Sequence, residues 1–388
     1  MPATIIRAAR VLTPDEDLSP GAVVLHDGVI NAVDRDISLP EGANVIDLPD
    51  ATLVPGFIDL HVHGGGGFSL MTDDPEEIRS YARWVASRGV TSFLATLCAG
   101  NIEDGLRFVR AVALVAGSVD GGATVLGVNL EGPFVSPTRK GALPDTWLTA
   151  SDTLILDGFV QAGGGSLKIV TLAPELPRAD QVLHDALSRS IIASVGHTDA
   201  DFETSRRAFK AGASHVTHAF NAMRPFHHRD PGPIGAALQS NSVTVEVIAD
   251  GIHLHPATVD LLIRAFGAER ITLVTDGVTP AGLSAGTFRI GAHEAVLTDG
   301  RMLLPDGTIA GSAATMDQVV ANIVNWGAAD LAGAVRMAST IPAHVVGLSE
   351  GKGRIAPGYG GDIVALSSDL AVLRTWVNGL EVYARSRG

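Results

Sequence analysis

The sequence predicts a TIM-type (β/α)8 barrel carrying a small β-sandwich domain built from both chain ends. Two observations lead there. From residue 57 onward, short apolar runs alternate with stretches of helical periodicity, the rhythm of a parallel sheet with crossover helices. Before and after that region the pattern changes to short strands punctuated by tight-turn dipeptides.

Taken in order, residues 1–54 read as short strands. Residues 23–26 and 29–33 flank Asp27-Gly28, a hairpin signal, and 45–48 and 52–54 add further strands. The apolar runs that would be barrel strands are 57–62, 91–96, 125–130, 167–172, 191–195, 215–217, 243–249 and 271–275. Helical periodicity lies between them at 75–87, 102–115, 180–188, 201–210 and 256–266. Pro75 and Pro256 sit at helix starts, where a missing N–H costs little. A doubly wound open sheet would need a phosphate fingerprint after its first strand, and Gly64 to Gly67 lacks the G-x-G-x-x-G spacing. An inserted β-hairpin is expected near 287–304, then helices at 315–326 and 330–339. The tail, 361–383, returns to strand character with Asn378-Gly379 as a second tight turn. It is expected to pair with the N-terminal strands, so that 1–54 plus 355–388 form one domain and 55–354 the barrel.

The chain has 388 residues, 46% hydrophobic and 18% charged, the composition of a well-cored globular protein. A net charge of −14 argues against nucleic acid as a partner, although one well-placed Arg can still hold a phosphate. Cys98 is the only cysteine; no intrachain disulfide is possible, which suits a reducing, cytoplasmic compartment. It reads as a small buried side chain rather than a nucleophile. No signal peptide and no membrane-spanning run are expected.

The chemistry lies where the apolar strands run out. The first run ends in His61-x-His63, two imidazoles on one face of a strand. Glu131 follows the third run, His197 the fifth, His218 the sixth and Asp276 the eighth. Barrel active sites sit at this end of the strands. Each residue alone has a plain reading: a hydrogen-bonded His pair, a Glu paired with an Arg, a His capping a helix. Together, four His and two carboxylates suggest a divalent metal site. Imidazole with carboxylate suits Zn2+, with Fe2+, Mn2+ and Co2+ as competitors. Such a metal acidifies water, and Asp276 is placed to accept its proton, to ligate, or both. His215 lies on the opposite strand face from His218 and is given a structural role.

The chain resembles the amidohydrolase superfamily and, within it, the family of N-acetylglucosamine-6-phosphate deacetylases. The resemblance rests on Pro-Gly-Phe-Ile-Asp-Leu-His-Val-His-Gly (55–64), Asn-Leu-Glu-Gly-Pro-Phe (129–134), Gly-His-Thr-Asp-Ala (196–200), Thr-His-Ala-Phe-Asn-Ala-Met (217–223), Asp-Gly-Ile-His (250–253), Thr-Asp-Gly (275–277) and Gly-Ser-Ala-Ala-Thr-Met (311–316). It implies that Glu131, His197 and His218 hold a principal metal. His61 and His63, sharing Glu131, would hold a second, and Asp276 would be the acid/base. It further implies substrate contacts from Ala142, Asn221, Ala222, His253, Ala310, Gly311 and Ser312. Arg229 would reach the phosphate in a neighbouring subunit's site, which implies a homodimer. The implied reaction releases acetate from N-acetylglucosamine 6-phosphate. A deacetylase of another N-acyl hexosamine phosphate, such as N-acetylgalactosamine 6-phosphate, and an amidohydrolase acting on a cyclic amide are alternatives. A non-catalytic scaffold is disfavoured because the expected ligands are all present. One departure stands out: Lys140-Gly141-Ala142-Leu143 carries Leu where the family usually has a carbonyl-orienting His.

Overall fold

The computed structural model describes residues 3–35, 37, 42–290 and 293–386. Parts of the expected end domain (1–2, 36, 38–41, 387–388) and of the expected hairpin (291–292) lie outside the described residues. Eight parallel strands form the barrel in chain order: Phe57–Val62, Val90–Leu97, Thr124–Leu130, Leu167–Leu172, Ile192–Val195, His215–Val216, Thr244–Ile248 and Ile271–Val274. The expected strands are all there, displaced by at most one residue at an end. Their side chains are almost wholly buried, which is why the sequence shows continuous apolar runs instead of alternation.

The ring closes through few bonds. Strand eight meets strand one at a parallel Val62–Gly277 bridge, with Asp276 N–H donating to the His61 carbonyl at 2.8 Å and His63 N–H to the Gly277 carbonyl at 2.7 Å. The closing seam is therefore made by site residues.

Helices Pro75–Val85 and Pro256–Phe266 carry Pro at the first turn, as expected; Asp74 caps one and His255 the other. Helices Thr153–Gly163 and Gly232–Leu238 were not anticipated. The first is rich in Leu, Ile, Val and Gly and has little polar face to mark its period; the second is short, apolar and nearly all buried.

Strands from both chain ends share one eight-stranded sheet. Its path runs Leu380–Ala384, Val372–Val377, Ile363–Leu366, Asn44–Pro55, Thr4–Leu12, Gly21–His26, Val29–Asp34, with Asp17–Leu18 beside Thr4–Leu12. The stretches expected as two strands, 45–48 and 52–54, are one strand, Asn44–Pro55, which crosses the intervening Pro49-Asp50 with a register shift. The insertion after strand eight is larger than a hairpin. Gly286–Ile290, His293–Thr298, Arg301–Leu303 and Ile309–Ser312 make a four-stranded antiparallel sheet around Ala295, Leu297 and Met302.

Gly56 joins that end sheet to the barrel. Its N–H donates to the Asp362 carbonyl at 2.9 Å, and a Cβ there would lie 2.2 Å from Thr91 Oγ1. Gly56→Ala is expected to destabilise the protein by about 1–3 kcal/mol through overpacking. A melting temperature equal to wild type in a thermal melt would contradict that close approach.

Candidate active site

The strand-end residues turn inward by a shared backbone device. His197, His218 and Asp276 have φ of 46°, 24° and 49°, with Phe220 and Ala222 close by at 70° and 47°. Non-glycine residues in this left-handed region cost about 1–3 kcal/mol each and persist where surrounding structure enforces them. Here each ends its strand abruptly and leaves its side chain at the barrel mouth.

The six expected groups converge. Nε2 of His197 and of His218 each lie 3.0 Å from Glu131 Oε1, and 3.1 Å from each other. His61 Nε2 is 3.4 Å from Glu131 Oε1 and 3.5 Å from Asp276 Oδ1. His63 Nε2 is 3.2 Å from Asp276 Oδ1 and 3.4 Å from Glu131 Oε2. All six side chains are buried.

Outer partners set the tautomers. The Nδ1 of His63 lies 3.1 Å from the Thr96 carbonyl and that of His197 3.0 Å from the Arg139 carbonyl. His61 Nδ1 lies 2.8 Å from Glu246 Oε2. Each acceptor requires Nδ1 to carry the proton, so three Nε2 lone pairs face carboxylate oxygens. Lone pairs facing oxygens repel unless a cation lies between them. His61 Nε2 is buried with no hydrogen-bond partner, the mark of an atom meant to ligate. The donor set therefore fits a divalent cation, and groups such as His61/Glu131/His218 and His61/His63/Asp276 keep their ligand atoms within 4.8 Å of one another.

Burial alone would raise the Glu131 carboxyl, but the imidazoles of His197, His218 and His61 gathered on it hold it well below the usual carboxylate range. Asp276 is likewise raised by burial and then lowered further by His63 and His61. Beside it, burial pushes Asp59 up to about 7 against the pull of the Thr275 hydroxyl, which donates to it at 2.6 Å.

His63, Glu131, His197, His218 and Asp276 line a cavity of about 740 Å³, within the usual range for a small-molecule site. Ala142, Asn221, Ala222, His253, Ala310 and Gly311 line it as well. His253 donates from Nδ1 to Asp250 Oδ2 at 2.7 Å, leaving Nε2 3.8 Å from Asp276 Oδ2. Two expected contacts are placed elsewhere. Ser312 lies behind the wall, its hydroxyl donating at 2.9 Å to Asp250 Oδ2, the oxygen that also takes the His253 Nδ1 proton. Arg229 is exposed on a loop outside the cavity of its own chain, with Nη1 2.8 Å from His228 Nε2. Cys98, expected as a buried structural side chain, is only half-buried and lines the cavity.

Sequence reading missed Glu246 and Trp147. Glu246 is fully buried on strand seven; one oxygen takes the His61 Nδ1–H and the His218 backbone N–H at 2.8 and 2.9 Å, the other lies 3.2 Å from His215 Nε2. Burial would raise it, yet His61 and His215 hold it well below the ordinary range. Its signal was present: a lone charge inside the apolar run 243–249. Trp147 is fully buried, and its indole N–H donates to the Glu131 carbonyl at 2.8 Å. Nothing in its sequence neighbourhood points there.

Comparison with known proteins agrees with this geometry. The model of the Amidohydrolase family matches residues 52–382. The chain belongs to the amidohydrolase family. It is 38% identical over 379 residues to an N-acetylglucosamine-6-phosphate deacetylase of Bacillus subtilis (strain 168), covering 97% of this chain and 96% of that one. It is 34% identical over 375 residues to an N-acetylgalactosamine-6-phosphate deacetylase of Escherichia coli O157:H7, covering 97% and 98%. An Asp→Ala mutant of N-acetyl-D-glucosamine-6-phosphate deacetylase from Mycobacterium smegmatis, solved in complex with N-acetyl-D-glucosamine-6-phosphate, superposes with a TM-score of 0.91 at 34% identity, over 99% of this chain and 100% of that one. Among the described residues no helix is long and apolar enough to cross a membrane.

Glu246→Gln replaces two anionic acceptors by one neutral acceptor and a donor facing two imidazoles. Divalent-metal affinity is expected to fall about 10–100-fold. Chelator competition on the folded variant measures it, and wild-type affinity would show that Glu246 does not position His61 and His218.

Proposed function

We propose that the protein hydrolyses the acetamide of N-acetylglucosamine 6-phosphate to glucosamine 6-phosphate and acetate. The observation that carries this reading is the convergence of four imidazoles on Glu131 and Asp276 at the mouth of a barrel. Relatives aligned over nearly the whole chain are deacetylases of hexosamine 6-phosphates.

In this reading Glu131, His197 and His218 hold one divalent cation, with His61 and His63 sharing Glu131 for a second. A nitrogen-and-oxygen donor set of this kind suits zinc. When bound, the metal polarises the amide carbonyl and acidifies water. Asp276, kept ionised at neutral pH, takes the proton of the attacking water and returns it to the departing amine nitrogen. His253, fixed by Asp250 beside Asp276, contacts the sugar. Asn221 and Ala222 bind the substrate from the loop after strand six, and Ala142, Ala310 and Gly311 complete the wall. Arg229 lies outside its own cavity, as an arginine serving a neighbouring subunit's site would, so the working form is a homodimer in which it grips the phosphate. A single cysteine and an acidic surface fit a cytoplasmic enzyme of amino-sugar breakdown.

The galactosamine epimer is the second reading, favoured by the comparable 34% match to the E. coli relative. Acetate release from both epimers, with metal quantified on the same sample, tests the proposal. Turnover of the gluco epimer at the higher kcat/KM supports it; preference for the galacto epimer replaces it.

Asp276→Asn is expected to lower kcat by about 10²–10⁴-fold. Metal held by Glu131, His197 and His218 should stay near wild type, because those ligands remain. A kcat near wild type would remove Asp276 from the proton transfer. Arg229→Ala should raise KM for the phosphorylated sugar at least tenfold while leaving the unphosphorylated sugar unchanged; equal effects would take Arg229 out of the phosphate site.

A further inference from the structure

The cavity walls differ chemically around the barrel. The loops after strands six to eight and the inserted sheet contribute the polar Asn221, His253, Arg289 and Thr308 alongside the apolar Val278, Leu304, Ile309 and Ala310. The loops after strands one to three, neighbours in the sheet, contribute Met71, Cys98, Ala99, Leu143 and Pro144, and the helix Ile102–Val115 after strand two adds Phe108. This second arc is apolar. Its one charged side chain, Asp104, is engaged by Asn101 Nδ2 at 3.0 Å and by Arg107. The Cys98 thiol turns to Met71 Sδ at 3.4 Å. The arc begins at the reacting centre, since the ligand atoms of His63, Cys98 and Glu131 lie within 4.8 Å of one another.

Leu143 makes the arc continuous. It is 5% exposed and packs into the main core cluster while facing the cavity. Its loop is anchored on the polar side: Arg139 bonds Asp199 at 2.8 Å, and the Arg139 carbonyl takes the His197 proton. The Leu143 side chain therefore gives hydrocarbon to the same cavity that the carboxylate and imidazole cluster lines. An amide carbonyl at that cluster, with its sugar toward Asn221 and His253, sends its acyl chain toward strands one to three.

We propose that the apolar arc of Met71, Cys98, Ala99, Phe108, Leu143 and Pro144 is an acyl pocket that accepts aliphatic N-acyl groups longer than acetyl on the same amino-sugar phosphate. This deepens the deacetylase reading and rests on it. The reaction balances as for acetyl. Water oxygen joins the carbonyl carbon, the C–N bond breaks with its electron pair going to nitrogen, and nitrogen takes up the proton, leaving a fatty carboxylate and the free amine. Each added methylene that leaves water for such a wall favours binding, about fourfold per buried CH2. That gain offsets the added ordering of the chain.

The test measures amine release from N-acetyl-, N-propionyl- and N-butyryl-glucosamine 6-phosphate by the metal-loaded enzyme. The N-butyryl substrate is expected to reach a kcat/KM within tenfold of N-acetyl or above it. A value more than tenfold lower, with N-acetyl turned over well, overturns the acyl pocket and leaves the deacetylase reading intact. No turnover of any of the three overturns both. Leu143→Trp fills the arc and should lower the butyryl-to-acetyl ratio at least tenfold, and Ala99→Leu does the same from the neighbouring loop should the first variant not fold. An unchanged ratio in a folded variant places the acyl chain elsewhere and overturns the proposal.

Discussion

Two buried carboxylates facing four imidazoles are the constraint on which the rest depends. Glu131 and Asp276 cannot sit in a barrel mouth as bare anions at low cost. The surrounding imidazoles do not neutralise them unaided, because the carbonyls of Thr96 and Arg139 and the carboxylate of Glu246 claim the Nδ1 protons of three of them. The arrangement is stable only as a set: cation, first ring of donors, and the acceptors behind them. Much of the buried polar chemistry near the barrel mouth follows from that requirement, including the otherwise costly Glu246 on strand seven.

The same residues close the barrel. Eight strands form a ring only if strand eight finds strand one, and that seam uses the backbones of His61, His63, Asp276 and Gly277. Site geometry and barrel closure are thus one set of atoms. The positive φ angles of His197, His218 and Asp276 belong to the same economy: strain is stored where strands stop, and the packed barrel supplies the enforcement.

What was legible in the sequence followed from physics that acts locally. Barrel strands are apolar throughout because both faces are buried, so all eight could be read, as could the polar residues at their ends. The His61-x-His63 pair was readable because strand alternation is strict. Other features depend on distant partners. Trp147 reaches the Glu131 carbonyl across a loop whose course no periodicity reveals. Ser312 carries a motif match but is turned to Asp250, a choice made by the inserted sheet and not by its neighbours in sequence. The two expected strands around Pro49 proved to be one, because pairing to Thr4–Leu12 carries the chain past a residue that local reasoning treats as a stop.

The sheet shared by both chain ends has a consequence for how the molecule is made. Residues 363–366 pair with 52–55, about three hundred positions apart, and the Asp362 carbonyl secures the Gly56 N–H just before strand one. A ribosome delivers residues 52–55 early, and they must wait with an open edge until the rest of the barrel has been synthesised. Pairings of this range are slow to form, and an unpaired edge is a hazard while it lasts. Val29–Asp34, paired early to Gly21–His26, ends the other side of the sheet and remains an edge strand in the finished protein, so the edge at 52–55 is the one that the tail later covers.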